Sequence, residues 1–432
     1  MMTKNTFNAK GEAAEQLIAS LCKDAFFEDF CFKNPYYSKG KELCDVLVVL
    51  NDVAIIWQIK NIKLKAGQFN KSDIEKAIKQ CRGARRQLLK LGTTTFKNID
   101  GKDKTIDASK INEVFLIAAI EGGTPDFDRY YDDGKDGNGN VHIFFEGLTR
   151  FATKHLNTVS DFVEYLRHKE KFLTEHKNII LTDGEENLLA LYLQNKRTFG
   201  NMESAQDVDM MTVDLEGVAD ELENNDKDYA EKLEADHWSE GWDALIEKKR
   251  AGLLTNGTPA DGPDHDKFLQ KMMSHNRFER RVLGAQFFDA AAKAADYPYK
   301  ETFVYKRLVP QDNRNVTYVF LFVGDQNTSR EYRQNILYAT ALAAKQITPQ
   351  NDMLIAIASE LHMVKTPSCS YEWVMLDMTA DEFEKELGDE AREYREKLNI
   401  WKNTQAYSSR AWEYPSDARK SSPARKAQSK ND

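Results

Sequence analysis

Asp45, Gln58 and Lys60 are the residues whose types and spacing point most directly to chemistry. They belong to two apolar runs, 43–50 (LCDVLVVL) and 53–60 (VAIIWQIK), separated only by Asn51 and Asp52. Runs of this composition read as strands, and a two-residue connection that tolerates positive φ reads as a hairpin turn. Such a turn sets Leu50 opposite Val53, which places Asp45 opposite Gln58 with their Cβ atoms about 5 Å apart. Lys60 lies two residues beyond Gln58 and therefore points to the same face. An acid, an amide and an ammonium thus converge at the end of strands otherwise made of Val, Ile and Leu. A carboxylate and an ammonium beside a buried sheet are costly unless they pair with each other or with a metal. The first alternative is a structural ion pair across a hairpin, with Gln58 bonded to a neighbouring strand. The second is a site for a metal ion held by oxygen ligands.

The surrounding elements decide whether such a site can be held. Residues 8–23 carry Ala9, Ala13, Leu17, Leu21 and Ala14, Ile18, Cys22 at helical period. Both hairpin strands are apolar on both faces, so they are expected inside a sheet covered on both sides. A basic helix is expected over 72–91, capped by Ser72 with Glu75 three residues on. Strands follow at 114–120 and 141–145, and a helix at 159–172. The order α, β, β, α, β, β, α predicts one α/β sandwich over residues 1–177. Residues 178–300 read as helical and partly acidic, without a convincing strand, with pieces at 185–196, 213–248 and 267–295 and a loop at 255–266. Residues 301–414 read as a second α/β unit, with strands at 302–308, 316–323, 353–359 and 371–376 and helices at 329–345 and 381–398. The basic tail, 415–432, is expected to be disordered.

The chain has 432 residues, enough for two or three domains, and its 41% hydrophobic content supplies globular cores. No run approaches the ~18 apolar residues of a membrane span, and the first ten residues are polar, so the expectation is a cytoplasmic protein with no membrane partner. Five scattered cysteines with no CxxC pair indicate neither a disulfide framework nor a structural zinc site. The net charge of −9 conceals an asymmetry: residues 60–97 hold eleven Lys/Arg against Asp73 and Glu75, whereas 201–247 hold sixteen Asp/Glu against Lys227 and Lys232. A polyanion would meet the first region and be repelled by the second.

The Asp followed by Gln-x-Lys after a hairpin resembles the PD-(D/E)XK nuclease superfamily, within it the Mrr-like restriction endonuclease branch that uses Gln-x-Lys. The matching stretches are GEAAE at 11–15, LCDVLVV at 43–49 and WQIKN at 57–61. The resemblance extends over about 8–120, or to 172, and implies a restriction-endonuclease-like α/β/α fold there. The chain departs from the pattern at Cys44, where a proline is usual, and at Gln58, where an acid is usual. What the resemblance implies is an Mg²⁺-dependent endonuclease acting on DNA, with Mn²⁺ as a substitute. Asp45 would be the principal metal ligand, helped by the Gln58 side-chain oxygen and the Ile59 carbonyl. Lys60 would orient or deprotonate the attacking water, and Glu15 would stand behind these or hold a metal-bound water, with Glu12 as an alternative. Beside it, Lys63, Lys65, Lys79, Arg82, Arg85, Arg86 and Lys90 form the expected contact to the phosphate backbone, one that positions DNA without reading its sequence.

A nuclease domain joined to unrelated modules also has the make-up of a bacterial antiviral defence effector, by analogy alone. The C-terminal regions are then expected to sense a small-molecule or protein trigger or to form a homo-oligomer. The alternative expectation is a module of nuclease fold that binds nucleic acid or a partner without cutting, kept open by Gln58. A third is that the C-terminal α/β unit is the main functional part and binds a nucleotide-like ligand. Asp132–Asn140 has the composition of a calcium loop but puts Gly134 and Ile143 at ligand positions, so it reads as a turn. A strand, Gly324 and a helix beginning near Thr328 offer a weak phosphate-binding junction. Trp238 and Trp242 are expected to anchor a helix to a core.

Overall fold

The computed structural model describes residues 4–65, 67–123, 128–129, 139–176, 179–181, 183–204, 211–255, 262–295, 304–323, 329–360, 371–402 and 411–421. The chain divides into two compact units, Met1–Lys232 and Leu233–Asp432. The class is mixed α/β, as expected, and the stretch expected to be helical is shared between the units.

In the first unit, α1 (Lys4–Phe26) leads into β1 (Cys31–Lys33), the short β2 (Tyr36–Ser38) and β3 (Lys41–Glu42), and then β4 (Val46–Leu50) and β5 (Val53–Asn61). Helix α2 (Lys71–Leu88) follows, then the hairpin β6 (Thr93–Lys97) and β7 (Asp103–Asp107), β8 (Glu113–Glu121), β9 (Asp128–Arg129) and β10 (Val141–Phe145). Helices α3 (Glu146–His155) and α4 (Val159–Glu175), β11 (Ile179–Leu181), α5 (Glu185–Gln194), β12 (Met211–Val213), α6 (Val218–Asn224) and α7 (Lys227–Asp236) complete the run, the last crossing the boundary between units.

The main sheet has the order β1-β4-β5-β8-β10. Strands β1, β4 and β5 are antiparallel neighbours, while β8 and β10 run parallel to β5. The hairpin has the expected register, Val46 opposite Trp57 and Leu50 opposite Val53. Asn51 supplies the turn with φ +55°. The Asp52 carbonyl accepts from Asn112 and Glu113, at 2.8 and 3.2 Å, which ties the turn to the start of β8.

Alternation divides the sheet's side chains between two layers. Leu47, Val49, Ala54, Ile56, Leu116, Ala118 and Ile120 pack with Ile74, Ala77, Ile78, Cys81, Ala84 and Leu88 of α2. On the other face Trp57 packs against Phe144 and against Phe162 of α4, each at 5.8 Å between ring centroids. Burial on both faces explains why these strands lack polar alternation. Gly122 clamps the ends of β5 and β8: at φ +122°, an added Cβ would stand 2.1 Å from the Ile62 carbonyl oxygen.

Several expectations needed correction. Helix α2 is capped by Asn70, whose side chain accepts from the Ser72 N–H at 3.1 Å, because the helix already begins at Lys71. Strands β2, β3, β6 and β7 were not expected; they are short or rich in Lys, Asp and Thr, and β2 and β6 are mostly exposed. Strands β11 and β12 interrupt the stretch expected to be without strands.

In the second unit, α8 (Ser239–Arg250), β13 (Leu254–Thr255), α9 (Pro263–Met273) and α10 (Arg277–Ala295) precede β14 (Val304–Gln311) and β15 (Val316–Val323). Helix α11 (Arg330–Ile347), β16 (Met353–Glu360), β17 (Tyr371–Asp377), α12 (Ala380–Lys397) and α13 (Pro415–Ser421) follow. The sheet order is β13-β17-β16-β15-β14, with β15 and β16 parallel and both β14–β15 and β16–β17 antiparallel. Trp242 is fully buried and donates to the Met272 carbonyl at 3.0 Å, whereas Trp238 is 51% exposed and anchors less than expected. Helix α13 occupies the start of the tail expected to be disordered, and Ser416 is buried there. Gly324 to Thr328 and most of Asp132–Asn140 lie outside the described residues. No helix among the described residues is long and apolar enough to cross a membrane.

Candidate active site

Asp45 stands one residue before β4 and Gln58 near the end of β5, facing each other across the hairpin. Gln58 Nε2 donates to Asp45 Oδ2 at 2.6 Å, and the Ile59 N–H donates to the same oxygen at 2.5 Å. Both side chains are buried, at 9% and 7% exposure. Leu47 and Val49 share Asp45's parity and pack toward α2, so Asp45, Gln58 and Lys60 belong to the α2 face. The expected roles of Gln58 and Ile59 used oxygen atoms. The atoms turned toward Asp45 are instead the amide nitrogen and the backbone N–H.

Burial pushes the Asp45 carboxyl up to about 6, against the opposing pull of the Ile59 N–H, Lys60 and Gln58, and Glu15 adds to the rise. Lys60 is half-buried and has neither an ion pair nor a side-chain hydrogen bond among the described residues. Its charge acts on Asp45, on Glu42 and on the Cys81 thiol.

Glu15 of α1 also reaches this end of the sheet. Its Oε2 accepts from Asn34 Nδ2 at 3.3 Å, and the Asn34 N–H donates to the Asp45 carbonyl at 2.9 Å. Glu12, the alternative, is exposed. Two residues here were missed by the sequence reading. Glu42 of β3 is held above the usual carboxylate range, first by lost hydration and then by repulsion from Asp45 and Glu15, with Lys60 opposing. Asn34 ties Glu15 to Asp45, and its Oδ1 is buried without a hydrogen-bond partner. The Asn34-Pro35 pair before a strand was the only available signal for it.

The donor set suits a hard divalent cation. Asp45 Oδ1 has no protein donor among the described residues, and the Glu15 and Glu42 carboxylates and Asn34 Oδ1 add further oxygens. The nearby thiols are unsuited to such an ion. Burial raises Cys44 and Cys81, and they donate to the Val46 and Ile117 carbonyls. No group of three or more His, Cys, Asp or Glu side chains among the described residues is close enough by itself to hold a metal. An ion bound to one or two carboxylates and retaining its waters does not require one.

The basic residues divide into two groups. Lys63 and Lys65, between β5 and α2, and Lys79, Arg86 and Lys90, on and just after α2, are exposed. Arg82 and Arg85 are half-buried on the flank of α2, because helical spacing turns them toward the face that packs on the sheet. No family model matches the chain, and neither do any curated protein or solved structure.

Proposed function

We propose that the first unit is a metal-dependent endonuclease that hydrolyses DNA phosphodiester bonds at the Asp45–Gln58–Lys60 site. One observation carries this reading: a buried carboxylate whose Oδ2 is fixed by two N–H donors, at a strand end shared with an ammonium that has no ion-pair partner among the described residues. A purely structural Asp–Lys pair would bring the two charges into contact, because unpaired buried charge is costly.

In this reading Gln58 and Ile59 fix the Asp45 carboxylate, so that Oδ1 is presented to a cation with little freedom to rotate. Asp45 would hold Mg²⁺ or Mn²⁺ as the principal carboxylate, with the ion keeping several of its waters and the Glu15 and Glu42 charges adding to the attraction. When bound, such an ion lowers the pKa of water and offsets charge on phosphoryl oxygens. Lys60 lies on the same face to orient the attacking water and to neutralise the phosphate. The exposed cations Lys63, Lys65, Lys79, Arg86 and Lys90 give the backbone of a duplex its electrostatic contact, so binding should weaken steeply with salt. The second unit and a role in antiviral defence, with a trigger or self-association, stand as extensions of this proposal.

The second reading, a module that binds nucleic acid or a partner without cutting, draws on Gln58, which satisfies Asp45 without adding negative charge for a cation. Plasmid nicking separates the two. The expected result is cleavage in Mg²⁺ or Mn²⁺ that EDTA stops and Asp45→Asn lowers by about 100-fold or more. Nicking that survives Asp45→Asn would contradict the assignment.

A further inference from the structure

Asn34 lies where the ladder between β1 and β4 breaks down. The ladder runs from Cys31 opposite Val48 to Lys33 opposite Val46. Asn34 continues it by donating to the Asp45 carbonyl, but the next bond, from the Leu43 N–H to the Pro35 carbonyl at 2.8 Å, has slipped by one residue. Asn34 takes φ +49° at this irregularity. It does so immediately before a proline, a position that favours extended backbone. The left-handed conformation costs an L-residue about 1–2 kcal/mol, less for asparagine, and such outliers persist where the surroundings impose them.

The same side chain carries an unsatisfied polar atom. Nδ2 donates to Glu15 Oε2, while Oδ1 is shielded from solvent with no donor. A buried acceptor ordinarily has a partner, from protein or from an ordered water. The groups bonded to Asn34 are the Glu15 carboxylate and the Asp45 main-chain carbonyl, both of them acceptors. A water polarised by a cation is a donor that would meet the need of Oδ1.

We propose that Asn34 is a positioning residue for the cation at Asp45: its Nδ2 holds Glu15 toward the site, and its Oδ1 accepts a hydrogen bond from a water in the cation's shell. The inference rests on the metal-site reading above and extends it to a residue outside the Asp, Gln-x-Lys pattern. It also accounts for how an acid on α1, across the sheet from α2, comes to serve a site on the α2 face.

Asn34→Gly is the informative variant, because glycine keeps the positive φ and the backbone bond to Asp45 while removing the amide. Mn²⁺ binding to the full chain is measured by calorimetry for wild type, Asn34→Gly, Glu15→Gln and the double variant, alongside their melting temperatures. The expected result is about 10-fold weaker binding for Asn34→Gly with an unchanged melting temperature. The double variant should lose little more than the worse single one. Binding within twofold of wild type overturns the proposal, as do losses that multiply in the double variant or a lowered melting temperature with intact binding. Wild type that binds no Mn²⁺ at millimolar concentration overturns both this inference and the metal-site reading. Wild type that binds Mn²⁺ but leaves plasmid intact removes only the hydrolase reading, and the Asn34 comparison still decides.

Discussion

Asp45 is held where its charged form is least comfortable. Burial raises its carboxyl to about 6, while two N–H donors and Lys60 keep the anion accessible. In an unfolded chain an aspartate titrates near 3.9, so the folded protein binds this proton more tightly. The resulting stability is fully present below about pH 4 and is lost as pH rises through about 6, a loss of about 3 kcal/mol at most. Asparagine has the same shape and never ionises. In EDTA, Asp45→Asn should therefore stabilise the protein at pH 8 by about 1–3 kcal/mol and leave it unchanged at pH 4, as read from urea denaturation at the two pH values. A variant less stable than wild type at pH 8 would mean that the carboxylate is a structural partner of Lys60. The trade of stability for an ionised, oriented acid is characteristic of functional positions.

At the scale of elements, the hairpin sets the site. Asn51 takes φ +55° in its turn, and the register from Leu50–Val53 to Val46–Trp57 carries Asp45 to Gln58. Replacing Asn51 with valine forces a β-branched residue into the left-handed region and should cost about 1–2 kcal/mol, whereas Asn51→Gly should be close to neutral by the same denaturation measurement. Equal effects of the two would show that the turn does not set the register. This hairpin was legible in the sequence because a two-residue turn fixes pairing arithmetically, and the Asp45–Gln58 encounter followed from it. Asn34 and Glu42 were not legible. They sit on short segments whose position depends on a slipped ladder and on α1, which no local periodicity encodes. The atoms that Gln58 and Ile59 present were also beyond reach, since a register places a residue but not the end of its amide. Strands β14 to β17 and helices α11 and α12 lie within a few residues of their expected bounds, whereas the single pieces expected over 213–248 and 267–295 are each divided into shorter helices, and β11 to β13, two or three residues each, are too short to give a pattern.

At the scale of the whole molecule, the net charge of −9 includes a basic stretch around α2 and a more strongly acidic stretch over 201–247. The basic stretch follows Lys60 in sequence, and Cys81 of α2 lies within the electrostatic reach of Asp45 and Lys60; on the nuclease proposal this is where a polyanion would be held beside the site. Binding and cutting must then be separable. On the proposal, Lys60 would serve the chemistry, whereas Lys79, Arg86 and Lys90 would supply attraction that fades with salt. The most direct measurement is single-turnover cleavage of a labelled DNA duplex by wild type and Lys60→Ala in Mg²⁺, with the dissociation constant of each taken in Ca²⁺. The account predicts binding within about threefold of wild type and cleavage slower by about 100-fold or more. Lys60→Ala that cuts at the wild-type rate, or wild type that binds the duplex without cutting it, would contradict it.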